Sequence, residues 1–358
     1  MGEILEYEQP GPYIVDSTDY DNSYSTPVLT AGQSFILGYT NETAGIKKAT
    51  PDNPVIIFDD FTTSSHYVDF SFKVKSSAMK FLTLKNDTDD IYCINNVLEN
   101  IDYIPASHER HWISIFTNFD VRVPSSREEQ KSIGDYFRNL DTLIALHQRK
   151  CEQTKKMKKY MLQKMFPQNG AKVPEIRFDG FTYDWEQRKF SELYARSSEK
   201  NDGSIGMDKN ITVATMQFKN DVKVSTTEYL KTYYTFKLGD IAFEGHQSKE
   251  FRYGRFVEND IGNGIVSHIF AVFRPIQEYD LYFWKYAINN ETLMQRILAR
   301  STKASTMMHD LVTNDFLNET FLVPSVKEQK QIGAFLNKLD NLITLHQRQH
   351  KLHLNMLL

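Results

Sequence analysis

The sequence contains one helical motif twice, and this duplication constrains the fold more than any other feature. Positions 130–149 and 329–348 align at a constant offset, and twelve of the twenty aligned residues are identical. Before each copy stands a proline, then a serine three residues ahead of a glutamate, which pairs Ser126 with Glu129 and Ser325 with Glu328. Such a pair is a capping box that begins a helix. The repeat therefore predicts two long helices in one chain.

Each predicted helix has an apolar stripe whose positions advance by four and three residues, as in the heptads of a coiled coil. The first stripe runs from Ile133 to Met165, and the second runs from Ile332 to Leu357. We expect the two helices to pack on each other as an antiparallel pair. Because the stripes become polar toward their C-terminal ends, binding of those ends to a further helix is the alternative.

Two stretches of a different character precede the helices. Residues 1–122 and 171–322 carry short β-rich runs, such as NPVIIFDDF and DIAFEG, with Gly, Asn and Asp turns between them. The helical segments are then 123–170 and 323–358. The expected fold class is mixed α/β (α+β), with two globules separated by two long helices that pack as an antiparallel coiled coil. A nearly constant helix attached to two divergent globules suggests a common frame that carries two different readers.

Composition narrows the class of protein but leaves function open. The 358 residues are 41% apolar and 13% aromatic, which suffices for two or three ordinary cores. No apolar run approaches the roughly 20 residues of a membrane span, and MGEILEYE is no signal peptide. Cys93 and Cys151 provide neither a disulfide framework nor a zinc cluster, so we expect a reducing cytoplasm. A net charge of −4 argues against a generally basic nucleic-acid binder but permits a local basic surface.

The junction motif is VPSVKEQKQIGAFLNKLDNLITLHQR at 323–348, and its counterpart lies at 123–149. Near its start, at 173–193, the second globule has a leader with the sequence VPEIRFDGFTYDWEQRKFSEL. Together these features resemble the specificity subunit of Type I restriction-modification enzymes, and the resemblance covers essentially the whole chain. Two features depart from the family pattern: the first globule starts at Met1 without such a leader, and the last helix stops at Leu358 where the first continues through MLQKMFP. We expect either a short form of the family or a chain trimmed at both ends.

The resemblance implies a role for each segment. Residues 1–122 and 171–322 would be target-recognition domains, each reading one half of a split, asymmetric DNA site. The helices in 123–170 and 323–358 would space these domains and dock two methyltransferase subunits. The implied partners are double-stranded DNA, those methyltransferase subunits and motor-nuclease subunits. S-adenosylmethionine, ATP and magnesium would be bound by the partner subunits, and this chain itself would need no cofactor.

The sequence lacks the motifs of the enzymes in such a system. It has no GK[ST] loop for ATP, no GxGxxG after a strand and no Asn-Pro-Pro-aromatic tetrad for base methylation. Asp120, Glu129 and Lys131 imitate a metal-dependent nuclease, but the second copy has Thr320 in place of the aspartate and its glutamate belongs to a helix cap. We therefore expect a non-catalytic subunit. A lone nuclease and a helical adaptor that binds no DNA are the alternatives.

Base reading needs guanidinium, amide and hydroxyl groups on loops, with lysines at the phosphates. In the second globule the stretches EGHQSKEFRYGRF at 244–256 and RSTKASTMMHD at 300–310 offer these groups. A solvated loop is the alternative for both. The residues assigned to DNA here are His246, Gln247, Ser248, Lys249, Arg252, Tyr253, Arg255, Arg300, Lys303, Ser305, Thr306 and His309.

The first globule offers weaker candidates near three predicted turns. Asp59 and Asp60 follow the strand VIIF, and a role as turn caps is favoured over acceptance from cytosine amino groups. The residues assigned to DNA here are Lys47, Lys48, Thr62, Thr63, Ser64, Ser65, His66, His108 and Arg110. His111 belongs to the same cluster as His108 and Arg110, which could touch phosphate or base.

Histidines occur on both helix stripes. Because His147 and His346 have no carboxylate at ligand spacing, a packed or partner-contacting histidine is favoured over a metal ligand. Together with Arg149 and Arg348 they are assigned to partner binding. The basic run at 149–164 is interpreted as a solvated or partner-facing surface, with contact to the DNA backbone as the alternative.

Overall fold

The computed structural model describes residues 1–31, 34–105, 110–168, 170–219, 226–305 and 308–357, with Leu357 described by its backbone alone. The chain divides into two compact units. Unit 1 contains Met1–Leu146 and the chain from His350 onward, and unit 2 contains His147–Gln349. None of the described helices combines the length and the apolar character that a membrane span requires.

Unit 1 is built on a four-stranded antiparallel sheet with strand order β1-β7-β4-β5, beside a three-stranded sheet with order β3-β2-β6. Its elements are β1 (Leu5–Glu8), β2 (Thr26–Leu29), β3 (Ile36–Thr40), β4 (Val55–Asp59), β5 (Ser65–Val68), β6 (Lys73–Val74), β7 (Met79–Leu84), α1 (Ile91–Glu99), α2 (His111–Ser114) and the start of α3 (Arg127–Lys164).

Strand β4 is buried on both faces because side chains alternate across a sheet and each face of this sheet is covered. Val55 and Ile57 join the core on one face. Ile56 and Phe58 point the other way, into a core closed by α1 and α2 through Ile94, Leu98, Trp112 and Phe116. Each such buried side chain stabilises the unit by about 1.5–3 kcal/mol.

Unit 2 has a second four-stranded antiparallel sheet with order β14-β13-β16-β9. Its elements are β8 (Glu186–Lys189), α4 (Phe190–Leu193), β9 (Tyr194–Ser197), β10 (Ile211–Thr212), β11 (Gln217–Phe218), α5 (Thr227–Leu230), β12 (Tyr234–Phe236), β13 (Ile241–Glu244), β14 (Arg255–Glu258), β15 (Gly264–Val266), β16 (Ala271–Pro275), α6 (Leu281–Ile288), α7 (Glu291–Ser301), β17 (Thr302–Ala304), β18 (His309–Leu311), α8 (Thr313–Asn318), β19 (Thr320–Val323) and most of α9 (Val326–Leu357).

The largest core of unit 2 lies on one face of this sheet. Ile241, Phe243, Phe256 and Phe273 pack there with residues of α6 and α7. Ala242 and Val272 face the opposite side and join a smaller core. The mixed α/β character expected from the sequence is thus confirmed, with β4 and β13 lying inside the runs predicted as strands.

The two long helices begin where the capping serines predict. Ser126 Oγ accepts from the amide of Glu129 at 3.4 Å, and Ser325 Oγ accepts from the amide of Glu328 at 3.4 Å. At the start of α9 the Glu328 carboxylate accepts from Arg177 at 2.7 and 2.9 Å.

Within unit 2 the helices run antiparallel. Nδ1 of His147 on α3 lies 3.1 Å from Nδ1 of His346 on α9, and Lys158 Nζ lies 2.6 Å from Asp340 Oδ1. A later residue of α3 therefore meets an earlier residue of α9. All described side chains of both stripes are buried or half-buried. The predicted antiparallel pair is confirmed, whereas the boundaries 122/123, 170/171 and 322/323 stay predictions.

Candidate nucleic-acid interface

Two segments of unit 2 that the sequence singled out separately lie side by side. The amide of His309 on β18 donates to Gly245 O at 2.8 Å, at the start of the loop between β13 and β14. Gln247 Nε2 lies 2.9 Å from His309 Nδ1, and the rings of Tyr253 and His309 meet edge to face at 5.4 Å. The loop at 245–254 and the β17–β18 hairpin therefore form one surface, which we call the unit 2 loop surface.

Local hydrogen bonds fix the shape of this loop. Ser248 Oγ accepts from the amides of Glu250 at 3.3 Å and Phe251 at 3.0 Å, so its hydroxyl oxygen serves the turn. Gly254 has a φ of +79°, and a Cβ there would lie 2.6 Å from Glu244 O. Glycine is required at that position because any side chain would be strained and would clash.

The candidate side chains of the loop surface differ in freedom. Those that are exposed are His246, Gln247, Ser248, Lys249, Arg252, Lys303 and Ser305. Arg252 lies over the ring of Tyr253 at 5.5 Å. Arg255 is half-buried, and its guanidinium binds Glu244 at 2.7 Å and Ala214 O at 2.8 Å. His309 is buried, and Thr306 lies outside the described residues.

The side chain of Arg300 is engaged in an ion pair within unit 2. Its Nε donates to Glu319 Oε1 at 2.7 Å, and Glu319 precedes β19. This side chain is consequently part of an ion pair on the helix surface of α7. Its assignment to DNA stays a prediction that requires the ion pair to open.

In unit 1 the turn after β4 is capped by Asp59, as the sequence predicted when it favoured a turn cap over contact with cytosine. Asp59 Oδ1 accepts from the amides of Phe61 at 2.8 Å and Thr62 at 3.1 Å. Thr63 lies in the left-handed region with φ of +61°, and its hydroxyl donates to Thr62 O at 2.7 Å. Thr62 and Ser64 share a hydrogen bond of 2.9 Å between their hydroxyls. The turn presents a compact group of hydroxyls.

The flanking candidates in unit 1 are more constrained. His66 lies in β5 with its ring 4.5 Å from that of Phe35, and burial lowers its pKa. Ser65 lies beside it in the same strand. Lys47 pairs with Glu8 and lies over the ring of Tyr13, while its neighbour Lys48 is exposed.

Asp60 and His111 belong to the core of unit 1. Asp60 and Lys80 form an ion pair of 2.9 Å with both side chains buried, and Asp60 Oδ1 accepts from the amide of Trp112 at 3.1 Å. His111 is 1% exposed, and its Nδ1 lies 2.9 Å from Asp60 O. The ring of His111 is thus enclosed in the core, and its contact with DNA stays an untested prediction. Arg110 is exposed at the start of α2, and His108 lies outside the described residues.

The repeated motif attaches each long helix to a helix of its own unit in the same way. Gln130 Oε1 accepts from the amide of Asp90 at 2.8 Å, and Gln130 Nε2 donates to Pro124 O at 2.8 Å. In unit 2 Gln329 makes the same two bonds, to Asp280 and to Pro324 O, at 3.1 Å each. Asp90 and Asp280 are the N-cap residues of α1 and α6.

A glycine in each copy makes room for that N-cap. Asp90 Oδ1 accepts from Cys93 N at 2.9 Å. A Cβ on Gly134 would lie 2.4 Å from this oxygen, and a Cβ on Gly333 would lie 2.2 Å from Asp280 Oδ1. No side chain fits at either distance, so the close approach of the two helices depends on glycine.

An aspartate completes each attachment. The hydroxyl of Tyr92 on α1 donates to Asp141, and that of Tyr286 on α6 donates to Asp340 at 2.6 Å. Burial, followed by the bond to the carboxylate, raises the pKa of both tyrosines. We call the Gln130, Gly134 and Asp141 group the unit 1 socket, and the Gln329, Gly333 and Asp340 group the unit 2 socket.

Stripes and sockets account for seven of the twelve identical positions of the repeat. The remaining five pairs are Lys131 with Lys330, Leu143 with Leu342, Leu146 with Leu345, Gln148 with Gln347 and Arg149 with Arg348. All of these side chains are exposed except Leu342, which is half-buried. Leu143, Leu146 and Leu345 are thus apolar side chains that are left exposed at repeated positions. We call these five pairs the repeated outer surface.

Among the residues that the structure describes, no group of three or more His, Cys, Asp or Glu side chains is placed to hold a metal ion. His147 and His346 instead contact each other across the helix pair, with ring centroids 5.4 Å apart.

Comparisons with known proteins agree on the type of chain. A family model described as Type I restriction modification DNA specificity domain matches residues 1–156 and again 183–355. The specificity subunit of the Type I restriction enzyme EcoR124I/EcoR124II from Escherichia coli is 45% identical over 153 residues, or 41% of this chain, and the chain covers only 37% of that relative. The solved S subunit of the Type I restriction-modification system of M. genitalium has a similar fold, with a TM-score of 0.66 at 12% identity over 99% of this chain and 92% of that one.

Proposed function

We propose that this chain, which belongs to the family of Type I restriction modification DNA specificity domains, binds double-stranded DNA at a bipartite, asymmetric site and reads one half with each globule. The observation that carries this proposal is the duplication itself. The family model matches both halves of the chain, and each half joins a divergent globule to a nearly identical helix. Two divergent globules on repeated helices fit a DNA site whose two halves differ in sequence.

The unit 2 loop surface supports base reading by its chemistry. Its exposed side chains include an imidazole, an amide, lysines and an arginine that lies over an aromatic ring. In the major groove arginine can donate two hydrogen bonds to guanine, glutamine can donate one bond to adenine and accept one from it, and lysines neutralise phosphates. In unit 1 the hydroxyls of the β4–β5 turn, with Lys48 and Arg110, are proposed as the corresponding groups.

The repeated outer surface supports a second part of the proposal, that the helices bind two copies of one partner. Because the same five residue types recur on α3 and on α9, and all of them except Leu342 are exposed, a partner that fits one copy should fit the other. We assign this partner as the methyltransferase subunit of the complex, with Arg149 and Arg348 among its contacts. His147 and His346 contribute through the helix pair, since they contact each other.

The chain is proposed to be non-catalytic. Methyl transfer from S-adenosylmethionine would come from the methyltransferase subunits, and ATP- and magnesium-dependent cleavage from the motor-nuclease subunits. Such a complex would act on DNA in the cytoplasm. The role of this chain would be to choose the site and to hold the enzymes there.

The test is reconstitution of the chain with its methyltransferase subunits, followed by binding assays at several salt concentrations and by mapping of methylated sites. We expect affinity that falls steeply as salt rises, because phosphate contacts release counterions, and methylation at a split site with two unlike halves. A complex that assembles but does not bind DNA would instead support the helical adaptor. Metal-dependent cleavage by the chain alone would support the lone nuclease.

A further inference from the structure

Three side chains fill a groove of unit 2 between α6, β19 and α9. Met165 and Phe166 directly follow the last residue of α3, and Trp185 belongs to the leader. Phe166 and Trp185 lie 5.7 and 6.0 Å from the ring of Phe283 on α6, and 6.2 Å from each other. All three are at most 3% exposed. They close the groove with aromatic and sulfur-containing side chains.

Polar contacts hold the leader over this groove. Arg177 binds both carboxylate oxygens of Glu328 in the first turn of α9, at 2.7 and 2.9 Å. Trp185 Nε1 donates to the same carboxylate at 3.2 Å, and Phe178 lies edge-on to Phe335 at 6.0 Å. The leader therefore presents an arginine and a tryptophan to one glutamate of α9.

Unit 1 contains the equivalent groove. The N-cap aspartates match α1 to α6, and the repeat matches α3 to α9. The unit 1 groove has a volume of about 440 Å³, and its walls are Cys93, Asn96, Val97, Asn100, Ile101, Val121, Arg122, Pro124, Ile133 and Phe137. We call it the α1–α3 groove.

In unit 2 the leader covers Glu328 and Phe335. Their counterparts beside the α1–α3 groove are exposed. Glu129, the counterpart of Glu328, is exposed, and Tyr136, the counterpart of Phe335, is 51% exposed. Among the described residues of unit 1, no tryptophan or phenylalanine side chain fills the place that Phe166 and Trp185 take in unit 2.

We infer that the α1–α3 groove is a docking site for a polypeptide segment with the chemistry of the leader, an arginine followed eight residues later by a tryptophan. The tryptophan would enter the apolar groove, and the arginine would pair with Glu129. The groove of unit 2 identifies the occupant, because it is the second copy of the same groove and holds the leader of this chain. The inference concerns unit 1 alone and does not depend on DNA binding.

The probe is a fluorescently labelled synthetic peptide of residues 172–190, titrated into the full chain and followed by anisotropy. The groove of unit 2 is filled by its own leader at a high effective concentration, which blocks the peptide there. We expect saturable binding to unit 1. Replacing the peptide's tryptophan (Trp185→Ala in the peptide) should weaken binding about tenfold, as expected for the loss of one buried aromatic side chain.

Variants of the chain locate the site. Glu129→Ala should weaken peptide binding several-fold, and Val97→Arg should abolish it by placing a charge in the groove. Asp135→Ala, another exposed acid on α3, is the matched control and should change nothing. Circular dichroism confirms that each variant is folded, and Glu129→Ala removes only an exposed side chain. Absence of saturable binding, or binding that Glu129→Ala and Val97→Arg leave unchanged, overturns the inference. DNA binding by the reconstituted complex is measured separately, so that either proposal can fail alone.

Discussion

At the scale of single residues, Arg252 and Arg255 belong to the same loop but differ in what their guanidinium groups do. Arg252 is exposed, whereas Arg255 is tied to Glu244 and to Ala214 O. The sequence placed both among the base readers. Within the described part of the chain the Arg252 guanidinium donates no hydrogen bond, whereas two donor groups of Arg255 bind the protein.

We predict that Arg252→Ala weakens recognition of one half-site only, by about 1–3 kcal/mol, the contribution of a bidentate base contact. Arg255→Ala should weaken the same half-site and also lower the stability of unit 2, because it breaks the contact between β14 and its neighbours. The measurement is methylation by the reconstituted complex of duplexes altered in one half at a time. An equal loss on both halves would show that neither arginine reads bases.

The buried pair of Asp60 and Lys80 leads to a second prediction at this scale. Asp60→Ala leaves the Lys80 ammonium enclosed without its counter-charge, and removal of one partner from a buried pair costs about 3–5 kcal/mol. Both side chains are at most 1% exposed, so solvent screening is slight. Chemical denaturation should show a large loss for Asp60→Ala and almost none for the exposed Asp52→Ala. A small loss for Asp60→Ala would mean that water reaches Lys80.

At the scale of elements, the sockets explain why part of the repeat is constant. Gln130, Gly134 and Asp141 each contact α1, and their counterparts contact α6. Alignment of the two copies of the repeat showed that these positions are identical but did not show what they contact. Their partners lie about 40 to 55 residues away in the chain. The sockets fasten two unlike globules to one kind of helix.

Replacing the socket glycines by alanine tests the sockets, because the sign of the change in stability distinguishes a socket from an exposed helix position. In an exposed helix, Gly→Ala stabilises by about 1 kcal/mol. Here Gly134→Ala and Gly333→Ala should destabilise by about 1–3 kcal/mol, because the new methyl group displaces the N-cap carboxylate. Denaturation of the full chain measures this. The double variant Gly134→Ala with Asp90→Ala should lose less than the sum of the two single changes, and stabilisation by Gly134→Ala alone would refute the socket.

At the scale of the whole molecule, the helix pair is predicted to set the gap between the two half-sites. One heptad inserted after Arg149 and another after Arg348 preserves the stripe and adds seven residues at about 1.5 Å each, roughly 10 Å. At about 3.4 Å per base pair, this is close to three extra pairs. Sequencing of methylated DNA should show unchanged half-sites with a wider gap.

A five-residue insertion at the same places is the control. It rotates the stripe out of register and should mainly destabilise the chain. Efficient methylation by the heptad variant at the original gap would mean that the helices do not set the spacing.

A last prediction concerns the activity of the chain alone. Purified without other subunits, it should neither methylate nor cut DNA, since its sequence has no cofactor loop. Methylation assays with labelled S-adenosylmethionine and cleavage assays with magnesium or manganese measure this. Either activity in a sample free of other subunits would contradict the prediction. Cleavage that Glu129→Gln abolishes would support the nuclease interpretation.

The sequence by itself determined the features that depend on local chemistry. Helix starts follow from serine and glutamate at fixed spacing, and the apolar stripe follows from the period of the helix, so α3, α9 and their pairing were predictable. The strands β4 and β13 were predictable because their apolar runs end in turn residues. The family resemblance also needed only the repeated motif and the leader.

Only the tertiary structure decided which polar groups are available and what they meet. Lys47, Arg255 and His111 are donor-rich in sequence, but each is engaged within its own unit by residues distant in the chain. The convergence of the β13–β14 loop with the β17–β18 hairpin likewise depends on sheet topology. The physical reason is that secondary structure is encoded by neighbours in sequence, whereas the burial and pairing of a side chain are fixed by whichever segments pack against it.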